Sequence, residues 1–312
     1  MSSPNFIIAG ERRSGSTSLY HLLKKHPQIG MLDQADFDYF IEPELFSRTP
    51  HKSNETRNWD KTHSLDEYES YFKDCSGVIG QKDADLLWWP DAHIRLKEYL
   101  PDTKFIIVLR NPVERAASQY YNEWSKGRET MSFKEALHLE EERLTTPWSR
   151  LHLVYKARGC YVESLRRFFE NIPRERVKVV ILEELNANKE KVLADVFEFL
   201  NVDVEAGLSI PSIHTNKEAA LVRKSFSLKP GLKIIFDLWD RVTEAAVVRI
   251  HRHKAGRDRL RNALRGFYYT SMRKKSDLKP TIENSLYEFY KPYILALETE
   301  LHLNLNCWSK DA

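Results

Sequence analysis

Two short stretches of the chain carry the residue types for gripping anions. The first, Gly10-Glu11-Arg12-Arg13-Ser14-Gly15-Ser16-Thr17-Ser18, crowds glycines, hydroxyls and two guanidinium groups into one turn after an apolar run. Gly10 and Gly15 have the spacing of a G-x-x-x-x-G loop, which wraps backbone N–H groups round a phosphate at a helix start. Ser16 stands where a nucleotide-hydrolysing loop has its Lys, and the positive charge lies inside the loop at Arg12 and Arg13. That Lys normally reaches the β- and γ-phosphates, so its absence argues against an ATPase or a kinase. In the second stretch, Arg110-Asn111-Pro112-Val113-Glu114-Arg115-Ala116-Ala117-Ser118, a guanidinium is followed two helical turns later by a hydroxyl. An Arg fork and a Ser hydroxyl can converge on one compact anion. Two such stations suit a ligand with separate phosphate groups; a plain Gly/Ser turn is the alternative for the first.

These stretches need elements to hold them. Residues 5–10 form an apolar run ending in Gly, which predicts a buried parallel strand. Residues 18–25 read as a helix stopped by His26-Pro27. The pattern returns in the apolar run 104–109, after which Asn111-Pro112 opens a helix with Pro in its first turn. A helix near 161–170, a strand over 177–182 and a helix near 189–200 make a third unit. The last third reads as helical, ending in a helix near 281–301. Strands alternating with helices predict an α/β fold: a P-loop-like central parallel sheet flanked by helices, one domain over residues 1–312.

Composition sets the bounds. With 312 residues, 42% of them hydrophobic and 12% aromatic, the chain can bury a sizeable core and is neither disordered nor collagen-like. Cys75, Cys160 and Cys307 are too few and too scattered for a disulfide framework or a zinc cluster, so no metal is expected. No secretory leader is visible and no apolar run approaches the ~20 residues of a membrane span, so the expectation is a cytoplasmic protein without stable membrane insertion. Charge is nearly balanced, 48 basic against 45 acidic residues, yet residues 217–279 hold 17 Lys/Arg and 6 Asp/Glu. Such a block is either a solvated helix face or a surface for an anionic partner. It lacks a nucleic-acid reader motif, so no nucleic acid is expected.

The two stretches together resemble the signatures of sulfotransferases that use 3′-phosphoadenosine 5′-phosphosulfate (PAPS). Residues 10–19 look like the family's 5′-phosphosulfate loop, and Arg110 to Tyr120 like its 3′-phosphate segment. His26-Pro27-Gln28-Ile29, Gly159-Cys160-Tyr161 and the closing Leu303-Asn304-Leu305-Asn306-Cys307-Trp308 extend the likeness, which is closer to the bacterial and heparan-sulfate-type branch than to the cytosolic phenol and steroid branch. The resemblance implies PAPS as donor and adenosine 3′,5′-bisphosphate as product. It implies that Arg13 faces the bridging oxygen of the donor, that Arg12 and Ser14 to Ser18 (with Gly15, Ser16 and Thr17) hold the phosphosulfate, and that Arg110 and Ser118 hold the 3′-phosphate. Arg223 and Lys224 match a cofactor-covering loop.

Sulfuryl transfer needs a base to take the acceptor's proton. The heparan-type branch has a Glu in a segment after the first helix, where this chain has Ala35-Asp36-Phe37-Asp38-Tyr39-Phe40. The resemblance therefore implies Asp36 as base and Lys82 as an assisting cation. Solvated loop carboxylates and a surface lysine are the alternatives. His93, upstream of the second strand, is a further candidate base. Trp88 and Trp89 are expected to wall an acceptor pocket, or else to pack in the core. The acidic residues Asp36, Asp38 and Asp83 favour a small, polar, cationic metabolite over an anionic polysaccharide, with a carbohydrate or phenol as the alternative acceptor. A P-loop kinase and a simple anion-binding module are the competing functions.

Overall fold

The computed structural model describes residues 3–32, 65–210 and 280–309. Five strands form one parallel sheet: β1 (Phe6–Gly10), β2 (Ile29–Met31), β3 (Val78–Lys82), β4 (Lys104–Leu109) and β5 (Val177–Ile181). Their spatial order is β2-β3-β1-β4-β5. β1 is therefore central, with Phe6 in register with Gly80 on one side and Lys104 on the other.

The apolar runs explain why. Every residue of β1 is buried, as befits a strand covered on both faces. Alternate residues serve opposite faces: Ile7 and Ala9 pack with Phe105, Ile107, Leu96, Trp89 and Phe168, whereas Phe6 and Ile8 pack with Ile106, Val108, Leu19 and Phe197. Helix α1 (Ser16–Leu23) follows β1, α2 (Leu65–Ser70) precedes β3, and α3 (Pro90–Tyr99) and α4 (Pro112–Ser125) flank β4. The helices Tyr161–Phe169 and Lys189–Leu200 flank β5. The closing helix, Pro280–Leu301, lays Leu286 and Tyr290 on Val113, Ala116 and Tyr120.

After β1 the chain moves to the β2–β3 side of the sheet, and β4 and β5 lie on the other side. The order thus reverses at β1, and the crevice beyond the carboxyl ends of β1 and β4 is where such sheets bind ligands. The residues leaving β1, β3, β4 and β5 at that edge are Glu11, Asp83, Arg110 and Leu182.

His93 belongs to the core. It has no exposed surface, its ring meets Phe168 edge-on at 4.8 Å, and its Nε2 donates to the Leu86 carbonyl at 3.0 Å. Burial pushes its pKa down from 6.5 to about 4. The folded ring is neutral while the unfolded one takes up a proton below pH 6.5, so stability holds above that pH and is lost as pH falls towards 4. The loss attributable to His93 is about 3 kcal/mol. Denaturation midpoints at neutral and acid pH should therefore separate less in His93→Gln than in the wild type. An unchanged acid loss in the variant would clear His93 of that role.

Candidate active site

The turn after β1 is shaped by Gly15, which stands at the N-cap of α1 with φ 96°. A Cβ there would be strained by the backbone and would push Leu182 Cδ1, 2.5 Å away, aside. Ser16, Thr17 and Ser18 form the first turn of α1, where no acidic residue opposes an anion. The loop and helix start thus offer N–H groups, hydroxyls and the dipole end of a helix at the switch point.

Arg13, itself left-handed with φ 69°, crosses to the second stretch. Its Nε donates to Ser118 Oγ at 3.1 Å, and Arg110 Nη1 reaches the Arg13 carbonyl at 3.5 Å. The two stations are therefore physically joined. Asn111 caps α4 through its side chain, which accepts from the Val113 and Glu114 N–H groups. Its own N–H donates to Glu183 at 3.0 Å, and its side chain donates to the Trp308 carbonyl. Tyr161 hydroxyl donates to the Arg110 carbonyl at 2.8 Å. The strand end that presents Arg110 is held by three other parts of the chain. Among the described residues the guanidinium's ion-pair partner is Glu114, an exposed i,i+4 contact. Such pairs are worth about 0.3–0.5 kcal/mol, so a phosphate can displace the carboxylate.

Arg12 takes another direction. It forms an ion pair with buried Asp85 from the loop after β3, and Asp85 is shared with Arg158 at 2.6 Å. Arg158 also donates through Nε to Glu11 at 2.9 Å, and both side chains are wholly buried. Burial pushes the Glu11 carboxyl up, against the pull of Arg158. Burial opposes ionisation of Asp85 too, but Arg12 and Arg158 outweigh it and hold that carboxyl well below the usual range. Asp85 is thus neutralised from within, and Asp83 is buried, with Oδ1 accepting the Asp85 N–H. The ion-pair roles of Glu11, Asp85 and Arg158 left no signal in the sequence, because their partners lie 147 and 73 positions apart and no periodicity links them.

Lys82 ends β3 beside Ile8 of β1, at the carboxyl edge and close in the fold to the phosphate loop. Trp88 and Trp89 do not form an open wall. Both lie in the core cluster on one sheet face, with Arg150 stacked 4.7 Å over Trp89. His93 does not join the group. Asp36, Asp38, Arg223 and Lys224 lie outside the described residues. Among the described residues no cluster of His, Cys, Asp or Glu could hold a metal ion, and no helix is long and apolar enough to cross a membrane.

A switch-point loop joined to a strand-end Arg and a helix Ser is an arrangement suited to a ligand with separate anionic groups, and comparison with known proteins narrows the class. A sequence model of the Sulfotransferase family matches residues 4–206, and the chain belongs to that family. It is 31% identical over 154 residues to "Membrane-associated sulfotransferase kil1" of Dictyostelium discoideum, covering 46% of this chain and 29% of that protein. It is 26% identical over 203 residues to "Heparan sulfate glucosamine 3-O-sulfotransferase 3B1" of Mus musculus, covering 64% of this chain and 46% of that one. The chain thus spans less than half the length of these curated relatives. Among solved structures, a sulfotransferase from Alicyclobacillus acidocaldarius superposes with TM-score 0.67 and 25% identity over 99% of both chains. These likenesses fall on the heparan-sulfate and bacterial branch.

Proposed function

We propose that this protein moves the sulfuryl group of PAPS to a hydroxyl or amine of a small polar acceptor. The observation that carries the reading is the junction of the two stations: Arg13 on Ser118, with Arg110 against the same loop. The residues fit this donor: an acid-free helix start lies beside a separate Arg–Ser station, suited to a phosphosulfate and a 3′-phosphate respectively. Bound there, PAPS supplies an activated sulfuryl group whose leaving group is a phosphate.

The chain's own residues do the rest. Ser14 to Ser18 orient the phosphosulfate through N–H and hydroxyl donors. Arg13 opposes the charge that gathers on the bridging oxygen as the S–O bond breaks. Arg110 and Ser118 hold the 3′-phosphate. Asp36 takes the proton of the attacking acceptor, and Lys82 sits at the strand edge where a cation assists the transferred group. Arg223 and Lys224 are proposed to close over the nucleotide.

Calorimetry with adenosine 3′,5′-bisphosphate, ATP and an oligonucleotide tests the donor. The first should bind the wild type far more tightly than the other two, and tight binding of ATP or the oligonucleotide in its place would overturn the reading. Arg110→Ala should raise the dissociation constant for the bisphosphate at least roughly tenfold, the loss of one charge-assisted hydrogen bond. ATP, which has no 3′-phosphate, should bind the variant and the wild type alike; equal weakening of both would move Arg110 off that phosphate.

For the acceptor, a cationic cytoplasmic metabolite is proposed from Asp36 and Asp38, since Asp85 already has its partners. A carbohydrate acceptor is the second reading, favoured by the mouse relative's name. Turnover of amine-bearing alcohols, neutral phenols and heparan fragments separates them, and preference for the anionic fragments would end the cationic proposal.

A further inference from the structure

The donor loop and the loop after β3 meet at one buried guanidinium, that of Arg158. Its Nε and Nη2 donate to Glu11, which opens the donor loop, and Nη2 also donates to Asp85. Its Nη1 donates to the Leu151 carbonyl at 3.1 Å. Asp85 in turn accepts from Arg12, so a closed circuit runs from the donor loop through Arg158 to Asp85 and back to the donor loop.

The turn that carries Arg158 is itself immobilised. It is a single 3-10 turn, Ala157–Gly159, and buried Glu140 accepts the N–H groups of Tyr155, Lys156 and Ala157. Tyr290 donates to the Lys156 carbonyl at 2.8 Å and packs so closely that a Cβ on Gly159 would lie 2.6 Å from its hydroxyl. Arg158 is a fixed fork between two loops. A lysine at this position would keep the charge but could not offer donors in the fork geometry that spans both carboxylates.

The far loop is built to register a shift. The Leu87 N–H donates to the Ala9 carbonyl of β1, the Asp85 N–H to Asp83, and the Trp88 N–H to the Asp85 carbonyl. Any rearrangement of Glu11 or Arg12 on ligand binding pulls on Asp85, and through it on the hydrogen bonds of 85–88. We infer that Arg158 is a positioning residue that couples donor binding in the 10–16 loop to the segment after β3, which leads from Lys82 on the proposed acceptor side. This rests on the PAPS reading.

Amide hydrogen exchange with and without adenosine 3′,5′-bisphosphate tests it. In the wild type, the bisphosphate should slow exchange both in 10–16 and in 85–88. In Arg158→Lys, protection of 10–16 should remain, protection of 85–88 should vanish, and the dissociation constant should rise at least roughly fivefold, the low end of usual coupling. A merely structural Arg158 would lower the melting temperature and leave the ligand-induced protection of 85–88 in place, which would overturn the inference. Asp85→Asn, which keeps Arg158 on Glu11, should lose the same protection and decides the matter if Arg158→Lys does not fold. Failure of the wild type to bind the bisphosphate would bring down the donor reading and this inference together. Binding with coupling intact in both variants would bring down the inference alone.

Discussion

Arg13→Met is expected to cut turnover about 10²–10³-fold, the usual effect of removing one preorganised donor from a developing charge. The guanidinium is held by Ser118 at one end and by a left-handed backbone at the other, so it needs no reorganisation as the leaving phosphate gains charge. Donor affinity should fall much less than turnover, because the loop N–H groups and the Arg110 station still hold the two phosphates. Steady-state and single-turnover rates with PAPS, beside bisphosphate binding, separate the two effects. A variant that loses affinity and keeps its rate would reassign Arg13 to ground-state binding.

Asp36→Asn should be more severe for turnover and nearly silent for the donor. Removing a general base costs roughly 10²–10⁴-fold, and the amide cannot take the acceptor's proton. The chain leaves β2 at Leu32, whose N–H donates to the Gly80 carbonyl of β3, at the same sheet edge as Lys82. Asp36 follows a few residues later. Full activity in the variant would exonerate it, and attention would pass to Asp38, since His93 is locked in the core by Leu86 and Phe168.

Much of the scaffold was legible because burial on both faces leaves continuous apolar runs. β4 fell on the predicted residues 104–109, and β1 and β5 within one residue at an end. Helix Lys189–Leu200 also fell where it was read. α1 begins two residues before its expected start, since Gly15 supplies a left-handed N-cap that polar Ser16 and Thr17 disguise. β2 is only three residues long, too short for any periodicity to register. In the site, the anion-gripping residue types were visible, but their directions were not. Arg12 and Arg13 are neighbours in the chain, yet one turns to Asp85 and the other to Ser118. Which way each points depends on Arg158 and α4, placed by the fold far along the chain. The tryptophan pair failed as a pocket wall for a related reason: aromatic side chains after a strand fit a core face as readily as a cleft, and here the core took them.

The central place of β1 has a consequence for biosynthesis. Phe6 must pair with both Gly80 and Lys104, so the strand of this sheet made first is the one whose neighbours arrive late. At ~5–20 residues per second, a ribosome needs about 5–20 s to deliver β4 after β1. For that time Phe6-Ile7-Ile8-Ala9 is an apolar segment with at least one open edge, the kind that pairs with stray chains. The nascent protein should thus lean on a holding chaperone until residue 109 has emerged, and translation slower than the native rate should lower the soluble yield more than it does for proteins whose strands pair in order.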